Sequence, residues 1–168
     1  MPDQQNLTNA AAAAKIREIV GDTRTCMYCC NLQTQPFDAA PLAIQGVDDD
    51  GTVWFFSVRD SDRNRYLAQD GASQLLIVND SDSEYLSIYG QGRIVQNQAK
   101  VEELWDPMAK VWFQEGPTDP NLTLLRFTPS QGFYWDTKHG KMVQLAKMAA
   151  SLVTGKTMDD SVDGSLKL

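Results

Sequence analysis

The sequence predicts a mainly β protein with peripheral helices, built as a small antiparallel barrel or sandwich. Six or seven short segments rich in β-branched and aromatic residues are separated by turn residues, a spacing typical of these folds. The helical patterns fall mostly at the edges of this series. Strands and helices do not alternate regularly, which argues against a parallel doubly wound sheet. With 168 residues, the chain can bury a core without disulfides or metal ions.

The first third of the chain predicts one helix followed by two strands. Residues 9–20 combine helix-forming alanines with an apolar face, and Gly21 ends the pattern. Apolar runs at 25–33 and 39–47 predict the first two strands. Residues 48–51 read Asp-Asp-Asp-Gly, which predicts a turn between strands. A calcium loop is the alternative, but the spaced ligands and closing glutamate of such a loop are missing.

The third predicted strand, residues 53–58, ends in an abruptly polar and basic stretch. Ser61 is well placed to cap a short helix that follows this strand. Backbone donors at a helix N-terminus and guanidinium groups together suit a phosphate. The alternative is a solvated strand end followed by an ordinary amphipathic helix. The hydroxyl and guanidinium groups of the stretch belong to Ser57, Arg59, Ser61, Arg63 and Arg65.

The second half of the chain predicts four further strands, at 74–78, 85–95, 122–128 and 131–136. Asn97 is expected to cap a helix whose apolar residues recur at helical spacing as far as Trp112. Pro107 either kinks this helix or begins a second one after Asp106. The spacing of Trp105 and Trp112 favours a role in the core or at an interface.

A last helix is predicted over residues 142–154, and the chain from Gly155 onward is polar and acidic. That composition predicts a mobile tail or an arm that lies on a partner. The sequence therefore divides into one domain over residues 1–155 and a polar C-terminal tail over residues 156–168.

Charge and hydropathy exclude several classes of partner. The net charge is −7 with a single histidine, so no basic patch is available to neutralise a nucleic-acid backbone. No apolar run approaches the length that spans a bilayer, and the N-terminus lacks the pattern of a secretory signal. We therefore expect a cytoplasmic protein that binds neither nucleic acid nor membrane.

The three cysteines, Cys26, Cys29 and Cys30, permit two interpretations. A Cys-x-x-Cys pair can be redox-active or form half of a zinc site, but zinc needs a second ligand pair. His139 is the only histidine and is remote in sequence. The alternative is that these thiols pack as small hydrophobic groups in a buried strand. The sequence therefore predicts no metal site, and no set of catalytic side chains is evident.

Four blocks of sequence form a recognisable set. They are VWFFS at 53–57 with Asp60 and Ser61, YLSIYG at 85–90, ELWDPM at 103–108 running to WFQEGP at 112–117, and YWD at 134–136 followed by GKMVQLAKM at 140–148. On these blocks the chain resembles the pyridoxamine 5′-phosphate oxidase-like FMN-binding split barrels, specifically the general stress protein 26 branch. The resemblance covers roughly residues 10–155 and implies an antiparallel split β-barrel.

The resemblance also implies a homodimer with FMN at the subunit interface. It puts the flavin ring against Ala40, Pro41 and Leu42 and against Phe56 and Ser57. It puts the phosphate at Ser61 and Arg63. Tyr85 aligns where the wider family often places a glutamine that meets the flavin across the dimer. Trp135 aligns with a tryptophan that closes the site from the second subunit.

Two positions depart from the family pattern. Ala40 stands where an arginine is usual, and Asp62 stands where a second basic residue is usual, so that Arg59 or Arg65 would have to substitute. After Trp135 the chain also lacks the C-terminal segment with which the true oxidases bind their substrate. The resemblance therefore implies no pyridoxamine phosphate oxidase activity.

The function that the resemblance implies is that of an FMN-dependent oxidoreductase linked to the stress response, with a nicotinamide dinucleotide as reductant. One alternative is a non-catalytic flavin-binding or carrier protein. A further alternative is a split-barrel dimer that has lost FMN and binds another ligand.

Overall fold

The structure is a computed structural model that describes residues 3–137, 146–148, 151 and 161–168. The helices are α1 (Asn9–Gly21), α2 (Asp62–Gln69) and α3 (Gln98–Leu104). The strands are β1 (Asp3–Gln4), β2 (Leu7–Thr8), β3 (Thr25–Cys30), β4 (Asp38–Val47), β5 (Val53–Val58), β6 (Ala72–Asn79), β7 (Glu84–Val95), β8 (Leu122–Thr137) and β9 (Ser161–Lys167). Two short 3-10 helices cover Pro107–Val111 and Gly116–Thr118.

Six of the strands close into an antiparallel barrel in the order β8–β5–β4–β3–β6–β7, with β7 pairing back onto β8. Outside the barrel, β9 pairs with β8, while β1 and β2 pair in parallel with β9. The predicted mainly β fold with peripheral helices is confirmed, and the architecture is the split barrel. Among the described helices, all are too short or too polar to cross a bilayer.

Strand β8 joins the two parts of this sheet, and it differs from the prediction of two separate strands. Its first half pairs with β5 as far as Phe127, and its second half pairs with β9 from Gln131 onward. Pro129 lies between these two ladders, and its pairing with Gly90 of β7 falls at a register shift, a kind of irregularity at which a strand tolerates proline. The chain therefore continues as one strand through a position where the sequence indicates a break.

Strand β5 separates two apolar clusters because its side chains alternate between its faces. Val53 and Phe55 lie in the barrel core, which also contains residues of α1 and of the other barrel strands. Trp54 and Phe56 point outward and pack with Val101 of α3 in a second apolar cluster, which we call the outer cluster. This burial on both faces explains why the sequence of β5 is an almost continuous apolar run.

The segment after α3 departs from the helical pattern of its sequence. Asn97 caps α3 as predicted, and Asp106 caps the 3-10 helix that begins at Pro107. Trp105 packs against the outer cluster, in keeping with its predicted core role. Trp112 is 75% exposed on the described surface, so it does not belong to the core of one chain, and its alternative role at an interface stays a prediction.

The three thiols lie in β3 and are buried and free, as the buried-strand interpretation predicts. Burial raises the pKa of Cys26 to about 12. Burial also raises the pKa values of Cys29 and Cys30, so all three side chains are neutral thiols at physiological pH.

Residues 161–167 of the C-terminal segment form β9, so the prediction of a mobile tail is wrong over these residues. Val162 and Leu166 are buried against the barrel, which fixes the segment along the edge of β8. The predicted helix over residues 142–154 lies mostly outside the described residues. Residues 146–148 and 151 are helical, and His139 is outside the described part.

A cluster of charged side chains forms where α1 meets β7 and β8. The Lys15 ammonium binds Asp136 at 2.8 Å and Glu18 at 2.9 Å. Carboxyl oxygens of Glu18, Glu84 and Asp136 lie within 4.8 Å of one another. One ammonium group therefore offsets only part of the negative charge that this packing brings together.

Candidate functional site

The candidate site begins where β5 ends and α2 begins. Ser61 is the N-cap of α2, and its hydroxyl accepts a hydrogen bond from the Asn64 backbone N–H at 3.3 Å. The predicted cap is therefore confirmed. The first turn of a helix has backbone N–H groups without intrahelical acceptors, and these groups favour an anion nearby.

Three buried side chains lock this strand end to the helix. The Ser57 hydroxyl donates to Asn64 Oδ1 at 2.8 Å, and Asn64 Nδ2 donates to Thr123 Oγ1 at 2.9 Å. The Thr123 hydroxyl then donates to the Ser57 carbonyl at 2.7 Å. This ring of hydrogen bonds spans β5, α2 and β8, and it fixes the Ser57 hydroxyl in place.

Arg63 extends from the first turn of α2 over this network. Its Nη1 donates to Ser57 Oγ at 3.4 Å, and its Cζ lies 5.7 Å from the centre of the Tyr28 ring. Its Nε is buried, and in the part of the chain that the structure describes it has no acceptor. A buried donor without an acceptor is costly, so this group fits an anionic ligand. We call Arg63, with the hydroxyls of Ser57 and Ser61, the Arg63 site.

The other two arginines of this stretch are already engaged. Arg59 Nε donates to the Pro120 carbonyl at 2.6 Å. Arg65 forms an ion pair with Asp62 on the exposed side of α2. Asp62, which replaces a basic residue of the family pattern, is thus neutralised within its own helix.

The residues expected at the flavin ring have different surroundings. Ala40 is paired with Tyr28 across β4 and β3, and Pro41 is paired with Met27. Pro41 is exposed, whereas Leu42 packs against the barrel core. The segment Ala40–Leu42 therefore borders the strand whose tyrosine lies under Arg63.

Phe56 is engaged on the opposite side of β5. Its ring lies 5.9 Å from that of Trp105 and 6.3 Å from that of Phe113, measured between centroids. A ring contact of Phe56 with flavin remains a prediction, and its side chain is committed to the outer cluster in this chain.

Tyr85 and Trp135 form a second group, which is separate from the Arg63 site. They are direct neighbours across β7 and β8, and both rings are partly exposed, by 38% and 45%. Three strand steps through β6 and β3 separate Tyr85 from β4, which corresponds to roughly 14 Å. Thr123, which pairs with Ser57, and Trp135 lie near opposite ends of β8. One chain therefore does not bring the predicted aromatic contacts together with the Arg63 site.

An apolar surface surrounds this aromatic pair. Met27 is paired with Leu76, and Val78 with Tyr85, so these side chains share one face of the sheet. Each is at least 38% exposed on the described surface. Exposed patches of this kind commonly mark interaction sites. We call the surface formed by Met27, Leu76, Val78, Tyr85 and Trp135 the outer apolar face.

The sequence analysis does not identify three residues of the site, which are Tyr28, Asn64 and Thr123. The strand alternation around Thr123 indicates an inward polar side chain between apolar neighbours, which could have singled it out. Asn64 follows the Ser61 cap by three residues on a short helix, and nothing in that spacing reveals its burial. Tyr28 looks like any core aromatic residue, because its relation to Arg63 is purely three-dimensional.

Comparison with known proteins gives the family of this chain. The family model described as "Pyridoxamine 5'-phosphate oxidase like" matches residues 11–159. Because the match covers most of the chain, the protein belongs to this family. No curated protein sequence matches it.

Several solved structures have the same fold as this chain. A protein named general stress protein 26 from Jannaschia sp. CCS1 is 24% identical, with a TM-score of 0.80 over 92% of this chain and 97% of that chain. The general stress FMN/FAD binding protein from Xanthomonas citri is 27% identical, with a TM-score of 0.63 over 74% and 87%. General stress protein 26 from Bacillus anthracis str. Sterne is 20% identical, with a TM-score of 0.64 over 73% and 92%.

Proposed function

We propose that this protein binds FMN, with the phosphate held at the Arg63 site. The observation that carries the proposal is the buried Arg63 Nε, which has no acceptor in the described chain and lies beside two hydroxyl groups. A phosphate monoester supplies several acceptor oxygens and up to two negative charges. Charge-assisted hydrogen bonds of this kind are among the stronger polar contacts in proteins.

The residues of the site would make different contributions to phosphate binding. Ser61 and the first turn of α2 would donate hydrogen bonds to the phosphate, and Arg63 would supply the fixed positive charge. The ring of bonds through Asn64 and Thr123 holds Ser57 in place, and because its hydroxyl proton is donated to Asn64 Oδ1, that hydroxyl would have to turn to donate to the phosphate. The flavin ring would lie along Ala40–Leu42.

The complete site requires two copies of the chain. We propose a homodimer in which the outer apolar face forms part of the interface, and Tyr85 and Trp135 of the partner subunit close the site over the flavin. The separation of these aromatic residues from the Arg63 site within one chain supports this arrangement. Tryptophan and tyrosine contribute strongly at interfaces because they bury large apolar areas.

When bound, FMN supplies the redox chemistry of hydride or electron transfer, and the protein supplies binding, orientation and exclusion of water. We propose that the protein acts in this way as an FMN-dependent oxidoreductase of the stress-response branch, with a nicotinamide dinucleotide as reductant. A flavin carrier without turnover is the alternative, since no acid–base pair lies at the Arg63 site among the described residues.

The test uses the purified full-length protein reconstituted with FMN. A yellow protein that releases FMN on denaturation supports flavin binding, and a colourless protein that does not take up FMN contradicts it. Stopped-flow mixing of the holoprotein with NADPH or NADH then separates the two functions. Rapid bleaching of the flavin supports the oxidoreductase, whereas an unchanged spectrum supports the carrier.

We also propose that the protein does not oxidise pyridoxamine phosphate. Its sequence after Trp135 lacks the substrate-binding segment of the true oxidases. Incubation of the holoprotein with pyridoxamine phosphate in air should therefore yield no aldehyde. Formation of pyridoxal phosphate at a steady rate would contradict this proposal.

A further inference from the structure

Tyr28 lies beneath Arg63 in a position that the surrounding chain specifies closely. The side chain is fully buried, and its hydroxyl donates to Ser73 Oγ at 3.0 Å. The rings of Phe55 and Phe127 meet it edge-on at centroid distances of 5.4 and 6.3 Å. The ring of Tyr28 is therefore fixed by its aromatic neighbours, and its hydroxyl is fixed by a hydrogen bond.

Gly92 provides the space that this arrangement needs. A Cβ atom at position 92 would lie only 2.0 Å from the Tyr28 hydroxyl, closer than any real contact. The Ser73 hydroxyl that receives the Tyr28 bond donates in turn to the Gly71 carbonyl at 2.9 Å. The hydroxyl of the tyrosine is thus placed by β6 and β7 together.

The Arg63 guanidinium lies over the face of this ring, with Cζ 5.7 Å from the centroid. A cation over an aromatic face is attracted by the negative electrostatic potential of that face, most strongly where water is excluded. The only other bond that we find for the Arg63 head in the described chain is the long one to Ser57. The ring is therefore the principal fixed support of the guanidinium.

We infer that Tyr28 is a positioning residue that holds the Arg63 guanidinium ready for the phosphate and so sets a preference for phosphorylated over unphosphorylated flavin. The inference rests on the proposed function and assigns a role to a residue that does not itself touch the ligand. An arginine without this support would have to lose rotational freedom on binding.

The preference can be measured as the ratio of FMN affinity to riboflavin affinity. Riboflavin has the same ring and lacks the phosphate, so general damage to the barrel weakens both ligands alike. Tyr28→Leu removes the ring face and should lower this ratio roughly tenfold. Tyr28→Phe keeps the ring and should retain most of the wild-type ratio.

Tyr134 offers a matched control within the same barrel. It is fully buried, its hydroxyl donates to the Gln5 carbonyl at 2.8 Å, and Lys15 Nζ lies 5.6 Å from its ring centre. Tyr134→Leu should therefore disturb the core comparably while leaving the FMN-to-riboflavin ratio unchanged.

If Tyr28→Leu does not fold, fluorinated phenylalanines at position 28 keep the size of the ring while weakening its negative face. The ratio should then fall stepwise with the number of fluorine atoms. A parallel loss of FMN and riboflavin affinity in Tyr28→Leu, or an unchanged ratio across the fluorinated series, would overturn the inference while leaving FMN binding intact. Absence of FMN binding by the wild-type protein would overturn the proposed function and this inference together.

Discussion

At the scale of single residues, Arg63 differs from its neighbours because its positive charge is partly buried and only weakly paired. Arg65 is two positions away on the same helix and is exposed in an ion pair with Asp62. The two arginines thus share a helix and a formal charge but not an environment. Comparison of the two therefore separates the effect of local charge from the effect of position.

Replacing Arg63 by alanine should weaken FMN binding by about 1.5–3 kcal/mol, because it removes a charge-assisted hydrogen bond to the phosphate. This corresponds to a loss of affinity of roughly tenfold to more than a hundredfold. The measurement is titration of apoprotein with FMN, followed by flavin fluorescence. Arg65→Ala is the control and should retain nearly all of the affinity. Equal losses for the two variants would mean that only net charge matters and that the phosphate lies elsewhere.

Sequence reasoning reached part of the Arg63 site and missed its supports. Ser61 was predictable because capping is a local preference of one residue at a helix start, and the structure confirms it. The predicted phosphate and ring contacts themselves stay predictions. Asn64 and Tyr28 escaped notice because their importance comes from contacts with residues far away in the chain, which composition and periodicity do not encode.

At the scale of elements, β9 shows why a polar segment can still belong to a sheet. Within Ser161–Lys167, only Val162 and Leu166 are large and apolar, so the alternating pattern is too sparse to stand out among acidic and small residues. Its hydrogen-bonded pairing with β8 makes it a strand, and this pairing cannot be read from the sequence of β9. Strand β5, by contrast, was predicted with its observed bounds, because burial on both faces produces a continuous apolar run.

Truncating the buried side chain of β9 should destabilise the whole barrel. Leu166→Ala leaves a cavity between β9 and the core, and such a change typically costs about 2–5 kcal/mol of unfolding free energy. Lys167→Ala, at the exposed neighbouring position, should change stability little. Urea denaturation of both variants makes the comparison. A Leu166→Ala protein as stable as the wild type would show that β9 is not firmly docked.

The cluster between α1 and β7 gives the protein a dependence of stability on pH. Burial raises the pKa of Glu84 above its ordinary value of 4.5, the nearby carboxylates of Asp136, Glu18 and Asp82 reinforce the shift, and the hydrogen bond from Asn79 opposes it. The folded state therefore binds the proton more tightly than the unfolded state. Stability from this group is present below about pH 4.5 and is lost as the pH rises through the folded-state pKa.

Glu84→Gln should therefore be more stable than the wild type at pH 7, because glutamine carries no charge and can still accept the bond from Asn79. The difference should shrink as the pH falls toward about 4, where the wild-type carboxyl is itself protonated. Urea denaturation at both pH values measures this. Glu102→Gln, on the exposed face of α3, is the control and should show no such trend. If the stability of the wild type instead increased relative to that of Glu84→Gln as the pH rises, the raised pKa of Glu84 would be contradicted.

At the scale of the whole molecule, the outer apolar face is the surface on which assembly should depend. Leu76→Asp puts a charge at the centre of this face, and burying an unpaired carboxylate between two subunits is strongly unfavourable. The expected result is a monomer that remains folded, because Leu76 points away from the barrel core. Sedimentation velocity measures the mass, and circular dichroism checks the fold.

The same variant should lose flavin affinity if the partner subunit completes the site. Ala11→Asp adds the same charge on the exposed side of α1 and should leave both the dimer and the affinity unchanged. A Leu76→Asp protein that stays dimeric would place the interface elsewhere. A monomeric variant with full FMN affinity would show that one chain is sufficient for binding.

The burial of all three thiols in β3 turns this strand into an internal reporter of barrel opening. A thiol reagent can reach Cys26, Cys29 or Cys30 only when the strand separates from its neighbours, because each is at most 3% exposed. The rate of labelling then follows the population of opened molecules. Since β3 also carries Tyr28, a flavin that binds only the closed barrel would slow the labelling in proportion to its saturation. The rate of thiol labelling thus measures both the opening of the barrel and its occupancy by ligand, without any introduced probe.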